Sequence, residues 1–543
     1  MSPLTVILGA PLLMAVVLMC VPADRRDLLR RGTLLATMIS LLTALLLFLS
    51  LENAPAGPGN LSTALTALQS PVPLLNETAP PPLEAKYQFK FTQRVDWMPS
   101  LGISYHVGTD GLSAALLLMA TLVAFAAACC ARDVQRRDKE FYVLLLLMSG
   151  GIFGAFASLD LFGMYLFHEL ALVPTFIMIG VWGRGEDKNY AAYKITLYLS
   201  VGAMLVLAGL IGLAQIVRAK YPPAEFSGYN LLEFYSMLEQ THGTGFNEGL
   251  GPLIFPALLI GFGILVSLWP FHTWAPMAYA SAPTATAMMH AGVIKKFGLY
   301  GLIRIVLPLH PYAPNADYWW QLLLWFGLAN ILWCGLVAMR QKDLNWLLGN
   351  SSVAHMGFVF LGIASLNFIG LTGAVLVMVA HGLLAALAFG LSGHLYAQTK
   401  TLEMSKLGGL RREMPFIGTA LLMALLAGCG VPGFANFAGE ITVLFGLWKT
   451  QPIVTGIVCW AALVIGAVYM LRAARQVLHG PPPAIRPNYT DARNWSERLP
   501  FVLLLGALLF FGLFPNWLTE KMNRSYHRIG QSTGMHTTQV SPR

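Results

Sequence analysis

Charge is scarce in this chain: Asp, Glu, Lys and Arg together make up 11% of 543 residues, while 56% are hydrophobic. Soluble globular domains carry about 25% charged residues, so an ordinary soluble fold is excluded. Cysteine is also sparse. The six present, Cys20, Cys129, Cys130, Cys334, Cys429 and Cys459, show neither CxxC nor His-paired spacing and fall within apolar spans. They read as small core residues, with no metal site and no disulfide framework expected. No flavin, nucleotide or iron–sulfur motif appears, so no cofactor and no redox chemistry are expected here. The first apolar run lacks a basic leader and a cleavage signal, and is expected to stay as a helix.

Apolar runs of about 20 residues, the length that crosses a bilayer, recur from end to end. They imply an all-α polytopic membrane protein of about fourteen spans. The spans are expected near 3–22, 31–50, 110–131, 140–158, 161–182, 191–217, 252–270, 283–307, 318–339, 345–366, 369–396, 414–447 (interrupted), 453–475 and 499–518. The net charge of +9 would suggest nucleic acid in a soluble protein. Here the basic residues gather in alternate loops: Arg25, Arg26, Arg30 and Arg31; Arg132, Arg136, Arg137 and Lys139; Arg184 and Lys188. Arg340 and Lys342, then Lys400, Lys406, Arg411 and Arg412, then Arg486, Arg493 and Arg498 continue the series. The positive-inside rule makes those loops cytoplasmic and puts both termini outside. Between spans, the Pro-rich loop 51–109 is expected to run irregularly over the surface, its NLS and NET sequons without meaning in a bacterial chain. Loop 218–250 is uninformative.

Two spans are broken. Pro270, Pro276 and Pro283 interrupt the seventh and start the eighth, which then carries Lys296 at depth. Gly430, Pro432 and Gly433 interrupt the twelfth, freeing backbone groups that only protein or water can satisfy there, with Asn436 placed to bond them. Each broken span follows three continuous ones, the pattern of two inverted five-helix repeats around a midplane site. The chain then divides into 1–109 (helix pair and external loop), 110–135 (third helix), 136–307 (first half), 318–475 (second half) and 476–543 (loop, last helix and tail).

Ionisable residues at membrane depth cost roughly 2.5–3.5 kcal/mol on insertion scales and mark ion or proton routes. Glu169 in the fifth span, Lys296 in the eighth, His355 and His381 in the tenth and eleventh, and Glu440 after the second break form such a set, with His168, beside Glu169, a candidate for a pathway or modulating role. Glu169 reads either as a pathway acid or as a carboxyl bonded to a neighbouring helix. Lys194 reads equally as a snorkelling lysine or as a partner of Glu169. His290 reads as a relay or as a ring bonded to a backbone carbonyl. His394, near the cytoplasmic end, is the weakest of the histidines. Lys295 points about 100° from Lys296 on a helix and is expected to meet another helix or water instead of the same channel. Asp110 reads first as a helix cap.

FHTW, APTAT and KFGLYGLIR, with HELALVP, SSVAHMGF and GVPGFANFAGE, resemble the M-type antiporter-like subunit of respiratory complex I, the proton-pumping NADH:quinone oxidoreductase. The resemblance runs from about His106 to Trp448. It implies the same repeats, an essential role for Glu169 and an exit-side role for Glu440, with partner membrane subunits that bind NADH and quinone. It implies a proton-translocating subunit in a bacterial inner membrane, contacting lipid and no nucleic acid. One departure stands out. The family's Lys and Pro before FHTW are Leu265 and Ser267 here, and its acid and His after FHTW are Met277 and Tyr279. The alternatives are a subunit of a multisubunit cation/proton antiporter, an ion-coupled inorganic-carbon uptake subunit, or a non-pumping spacer in a variant complex.

Overall fold

The computed structural model describes residues 1–69, 83–134, 136–220, 228–481 and 489–522. The NET sequon, Arg486 and the tail 523–543 lie outside them. Helices α1 (Pro3–Cys20) and α2 (Arg26–Ser50) form a pair. An outer segment follows with β1 (Gly57–Pro58), α3 (Leu61–Gln69), α4 (Leu83–Lys86), β2 (Lys90–Met98) and β3 (Ile103–Thr109). Next come α5 (Gly111–Cys130), α6 (Asp138–Ala157), α7 (Leu161–Trp182), α8 (Lys188–Lys220) and α9 (Leu231–Thr241). The first broken helix is α10 (Gly251–Val266) and α11 (Trp274–Ser281). It leads to a bent helix made of α12 (Thr284–Met289), α13 (Lys296–Gly301) and α14 (Leu307–Leu309), joined by π turns at His290–Ile294 and Leu302–Val306. Then follow α15 (Ala316–Arg340), α16 (Leu344–Ala364), α17 (Phe368–Thr399) and the short α18 (Leu410–Glu413). The second broken helix is α19 (Pro415–Gly428) and α20 (Ala435–Thr450). Then come α21 (Pro452–Ile457), α22 (Leu463–Leu478) and α23 (Trp495–Leu513).

Among the described residues eleven helices are long and apolar enough to cross a membrane, and α10 and α19 are shorter apolar ones. Helices α16 and α17 are buried along their most apolar stretch, while α1, α7, α22 and α23 turn much of their surface outward. The innermost helices are therefore the two that carry the histidines. Each has a side-chain cap fixing its start. Asp343 accepts from the amides of Asn345 (2.8 Å) and Trp346 (3.1 Å), and Asn367 accepts from Gly370 (2.9 Å).

Three expectations need correction. The segment 51–109 is not wholly irregular: β1 pairs parallel with β2, and β2 antiparallel with β3 in the register Arg94↔His106 and Asp96↔Ser104. Strand β3 is buried on both faces and the middle of β2 is exposed, so neither shows the period-two alternation that marks a strand. The loop 218–250 contains α9, capped by the Asn230 side chain. Only Cys129 and Cys334 are buried; Cys20 and Cys459 are exposed, because an apolar helix on the rim of a membrane bundle turns one face to lipid.

His106 lies in the outer sheet, buried, 3.7 Å from Glu84 and facing Arg94. Burial, then the Arg94 charge, lower its imidazole from 6.5 to about 4. The unfolded segment therefore binds the proton first. The neutral ring leaves the sheet at full stability above 6.5, and that stability is lost as pH falls toward 4, at about 1.4 kcal/mol per unit of difference. Hydrogen exchange of β2 and β3, corrected for the intrinsic rate, is expected to speed up between pH 7 and pH 5. His106→Gln should flatten this, and an unchanged profile in that variant would rule out the histidine.

Candidate functional site: a buried lysine–histidine–glutamate seam

The first break opens where α10 ends at Ser267, whose φ is +80°. The freed backbone is taken up by Asn330 of α15, whose Oδ1 accepts from the Trp269 amide (2.5 Å) and whose Nδ2 donates to the Ser267 carbonyl (3.1 Å). After the break, the π turn His290–Ile294 widens the helix. Its Ala291 carbonyl accepts from Lys296 Nζ at 2.6 Å. Single π turns inside α-helices recur at functional sites because they re-aim side chains; this one lets the lysine bond its own helix while facing α17.

Lys296 Nζ lies 3.0 Å from Nδ1 of His381 on α17. Small residues allow that approach: a Cβ on Gly382 would stand 2.9 Å from the Gly292 carbonyl, and one on Gly292 would stand 3.0 Å from the Gly382 carbonyl. The His381 ring lies 5.5 Å, centre to centre, from that of His355 on α16. His355 Nδ1 is 2.8 Å from the Ser351 carbonyl and Nε2 is 3.2 Å from the Gly428 carbonyl at the second break. With an acceptor at each nitrogen, this ring can hold two protons and leave neither donor unpaired. Its Nε2 is also 3.6 Å from the Glu440 carboxylate. Lys296, His381, His355 and Glu440 thus stand in one row across α13, α17, α16 and α20, all four buried, with direct hydrogen-bond contact at the Lys296–His381 step.

His355 stands between two small cavities. One is lined by Ser351, Ser352, His355 and His381, the other by His355, Gly428, Tyr469 and Glu440. Each is about 20 Å³, room for a water molecule. The second break is shaped around the acid. Gly430 has φ +70°, and a Cβ there would stand 2.8 Å from a Glu440 oxygen. Gly433, past Pro432, has φ +101°. Asn436 is buried and makes no bond to the opened backbone, contrary to expectation. The turn closes on itself, with the amides of Cys429, Gly430 and Val431 bonding carbonyls of α19.

The other candidates lie off this line. Glu169 on α7 is half-buried and faces a cavity with Thr196 and Ser200 of α8. Its oxygen is 3.5 Å from His168 Nδ1. His168 stacks on Phe297, the residue after Lys296, at 4.0 Å between ring centres, which is its link to the seam. Lys194 is half-buried over the Tyr190 ring at 5.9 Å and, among the described residues, makes no ion pair with Glu169. His290 is bonded at neither nitrogen. The rings of Trp274 and Tyr279 hold it, each 5.6 Å away. His394 sits 13 residues beyond His381 on α17, about 20 Å along the helix, bonded to Gln398 at 2.9 Å. Pro270 lies in the exposed linker between α10 and α11.

Two residues escaped sequence reasoning. Asn330 closes the first break. Arg304 forms a buried ion pair with Asp110, which also caps α5 through the Ser113 amide at 3.0 Å. Asp110 is a cap, as read from the sequence, and a counter-charge as well. The Arg304 motif was visible in KFGLYGLIR, but its partner lies 194 residues away in sequence.

This fold and this seam define a polytopic helical membrane protein in which titratable side chains join two broken helices through the bundle interior. The family model described as NADH:quinone oxidoreductase/Mrp antiporter, TM, matches residues 158–466. NADH-quinone oxidoreductase subunit M of Rickettsia prowazekii is 32% identical over 444 residues, covering 81% of this chain and 86% of the relative. The Pseudomonas aeruginosa protein of the same name is 33% identical over 449 residues, covering 81% and 85%. A chain of respiratory complex I from Thermus thermophilus superposes with a TM-score of 0.80 at 25% identity, over 98% of this chain and 100% of that one. A chain of the Mrp complex from Dietzia shares the fold at a TM-score of 0.76 and 20% identity, over 98% of this chain and 52% of that one. The chain belongs to the NADH:quinone oxidoreductase/Mrp antiporter membrane-subunit family.

Proposed function

We propose that the chain is a proton-translocating antiporter-like subunit of a complex I-type NADH:quinone oxidoreductase, with NADH and quinone bound by partner subunits and no redox step in this chain. The observation that carries the reading is the row Lys296, His381, His355, Glu440, joined by a 3.0 Å contact, then rings 5.5 Å apart, then a 3.6 Å approach. An ammonium on Lys296 hands a proton to neutral His381, which passes it through the shared cavity to His355 and on to Glu440. A charge arriving at one site changes the proton affinity of the next, so a push from the redox arm moves protons stepwise. Glu169 and His168 form the side approach to Lys296, and Lys194, on the helix that lines the Glu169 cavity, modulates Glu169. The two halves 136–307 and 318–475 repeat one another in inverted orientation within about fourteen spans. The subunit sits in a bacterial inner membrane among other membrane subunits and lipid, with both termini outside.

The subunit M names of the Rickettsia and Pseudomonas relatives favour this reading over the Mrp-type exchanger. The test is Lys296→Met in the assembled complex, reconstituted in vesicles. Proton uptake attributable to this chain is expected to fall about 100-fold or more, the typical worth of a positioned proton carrier. Unchanged uptake would refute the seam as the route.

A further inference from the structure

Lys295 is fully buried beside Lys296, yet the seam does not use it. Among the described residues it has no carboxylate partner. Its Nζ meets only Ser352 of α16, at 2.8 Å to Oγ and 3.3 Å to the carbonyl, and sits 5.5 Å from the centre of the Tyr279 ring. A buried amine held by one serine and one aromatic face is costly to keep for packing alone. Ser352 is also a wall residue of the cavity that contains His355 and His381. The amine thus contacts another helix, as expected from its direction, but through that contact it reaches the same seam.

Its position on the helix is as informative. Three residues further on, one helical turn away on the same side, Gly298 packs against α10: a Cβ there would stand 2.5 Å from the Phe262 carbonyl and from Val266 Cγ2, and 3.4 Å from the Leu265 Cβ. Lys295 therefore lies one turn along the seam between α13 and α10 from Leu265, where the broken helix carries no charge. Tyr279 and Ser352 close the slot from α11 and α16.

Building on the proton-translocation reading, we infer that Lys295 is a second proton carrier, exchanging protons with the His355 and His381 cavity through Ser352. The step is balanced at the serine. Lys295 Nζ gives a proton to Ser352 Oγ while that hydroxyl releases its own into the cavity, and the neutral amine is recharged by the reverse exchange through the same hydroxyl, so the serine is unchanged and Lys295 stores and returns protons to the cavity. The chain is then a two-amine conductor, and not a spacer that has lost one.

The experiment uses the whole complex in vesicles and measures proton uptake per electron, taking this chain's share as the difference from a Glu440→Gln complex. Lys295→Leu is expected to cut that share about ten-fold or more, and Lys295→Arg to cut it equally, since an arginine keeps the charge but cannot release the proton. Wild-type uptake in Lys295→Arg would mean that the residue only supplies charge, and overturns the inference. Wild-type uptake in Lys295→Leu, with a loss in Glu440→Gln, overturns it while leaving the proposed function standing. No loss in Glu440→Gln overturns both. Should Lys295→Leu fail to assemble, Lys295→Arg and Ser352→Ala decide, the latter being expected to show the same ten-fold loss because it removes the hydroxyl that carries the proton onward.

Discussion

Glu440→Gln in the assembled complex is expected to abolish the proton uptake that depends on this chain, by about 100-fold or more, while leaving assembly intact. Glutamine has the same shape as the acid, but it cannot take up and release a proton. Glu440 is the last group of the line, 3.6 Å from His355, and the described residues offer no second carboxylate beside that ring. Redox-driven uptake in vesicles, measured against assembly on native gels, reads the two effects apart. Pumping at the wild-type level would remove Glu440 from the route.

The largest stability effect is expected at Asn330→Leu. This exchange leaves the Trp269 amide and the Ser267 carbonyl without the partners that now lie 2.5 and 3.1 Å away. Each orphaned buried group costs about 1–3 kcal/mol. A loss of about 3 kcal/mol is a large part of the 5–15 kcal/mol typical of a folded domain. The chain should show a lower unfolding midpoint in detergent and poor recovery in the assembled complex. Asn330→Gln, which keeps both functions on a longer arm, should lose less. Equal stability of the leucine variant would show that the break is satisfied by other groups.

The seam was legible in the sequence for a simple reason. Lys296, His355, His381 and Glu440 each stand in an apolar run where lipid would reject them; depth marked them together with Glu169, His168 and His290, which the structure places off the line. The breaks were legible because Pro270, Pro432 and the glycines around them cannot continue a helix. What stayed hidden depends on three-dimensional register. Asn330 is one amide in LANILW and looks merely tolerated until the opposite helix opens beside it. The pairing of Arg304 with Asp110 needs the fold that joins them. The destination of Lys295 was read from a regular helical wheel, which says correctly that it leaves the Lys296 side, but not that Ser352 on the next helix returns it to the same cavity. The π turn before it has no composition of its own, since i→i+5 and i→i+4 bonding use the same residues. The outer sheet was hidden by burial, β3 being covered on both faces.

His355 is the partition between two chambers, and neither chamber holds more than about a single water. A hydrogen ion crosses such a wall by exchanging covalent bonds on the ring, without any atom heavier than hydrogen changing rooms. A sodium ion has no such option: it would have to bring its own bulk and shed its hydration past the imidazole. On the proposed route, selectivity for protons at this point would need no filter, because the doorway is itself a molecule that only the lightest passenger can become part of.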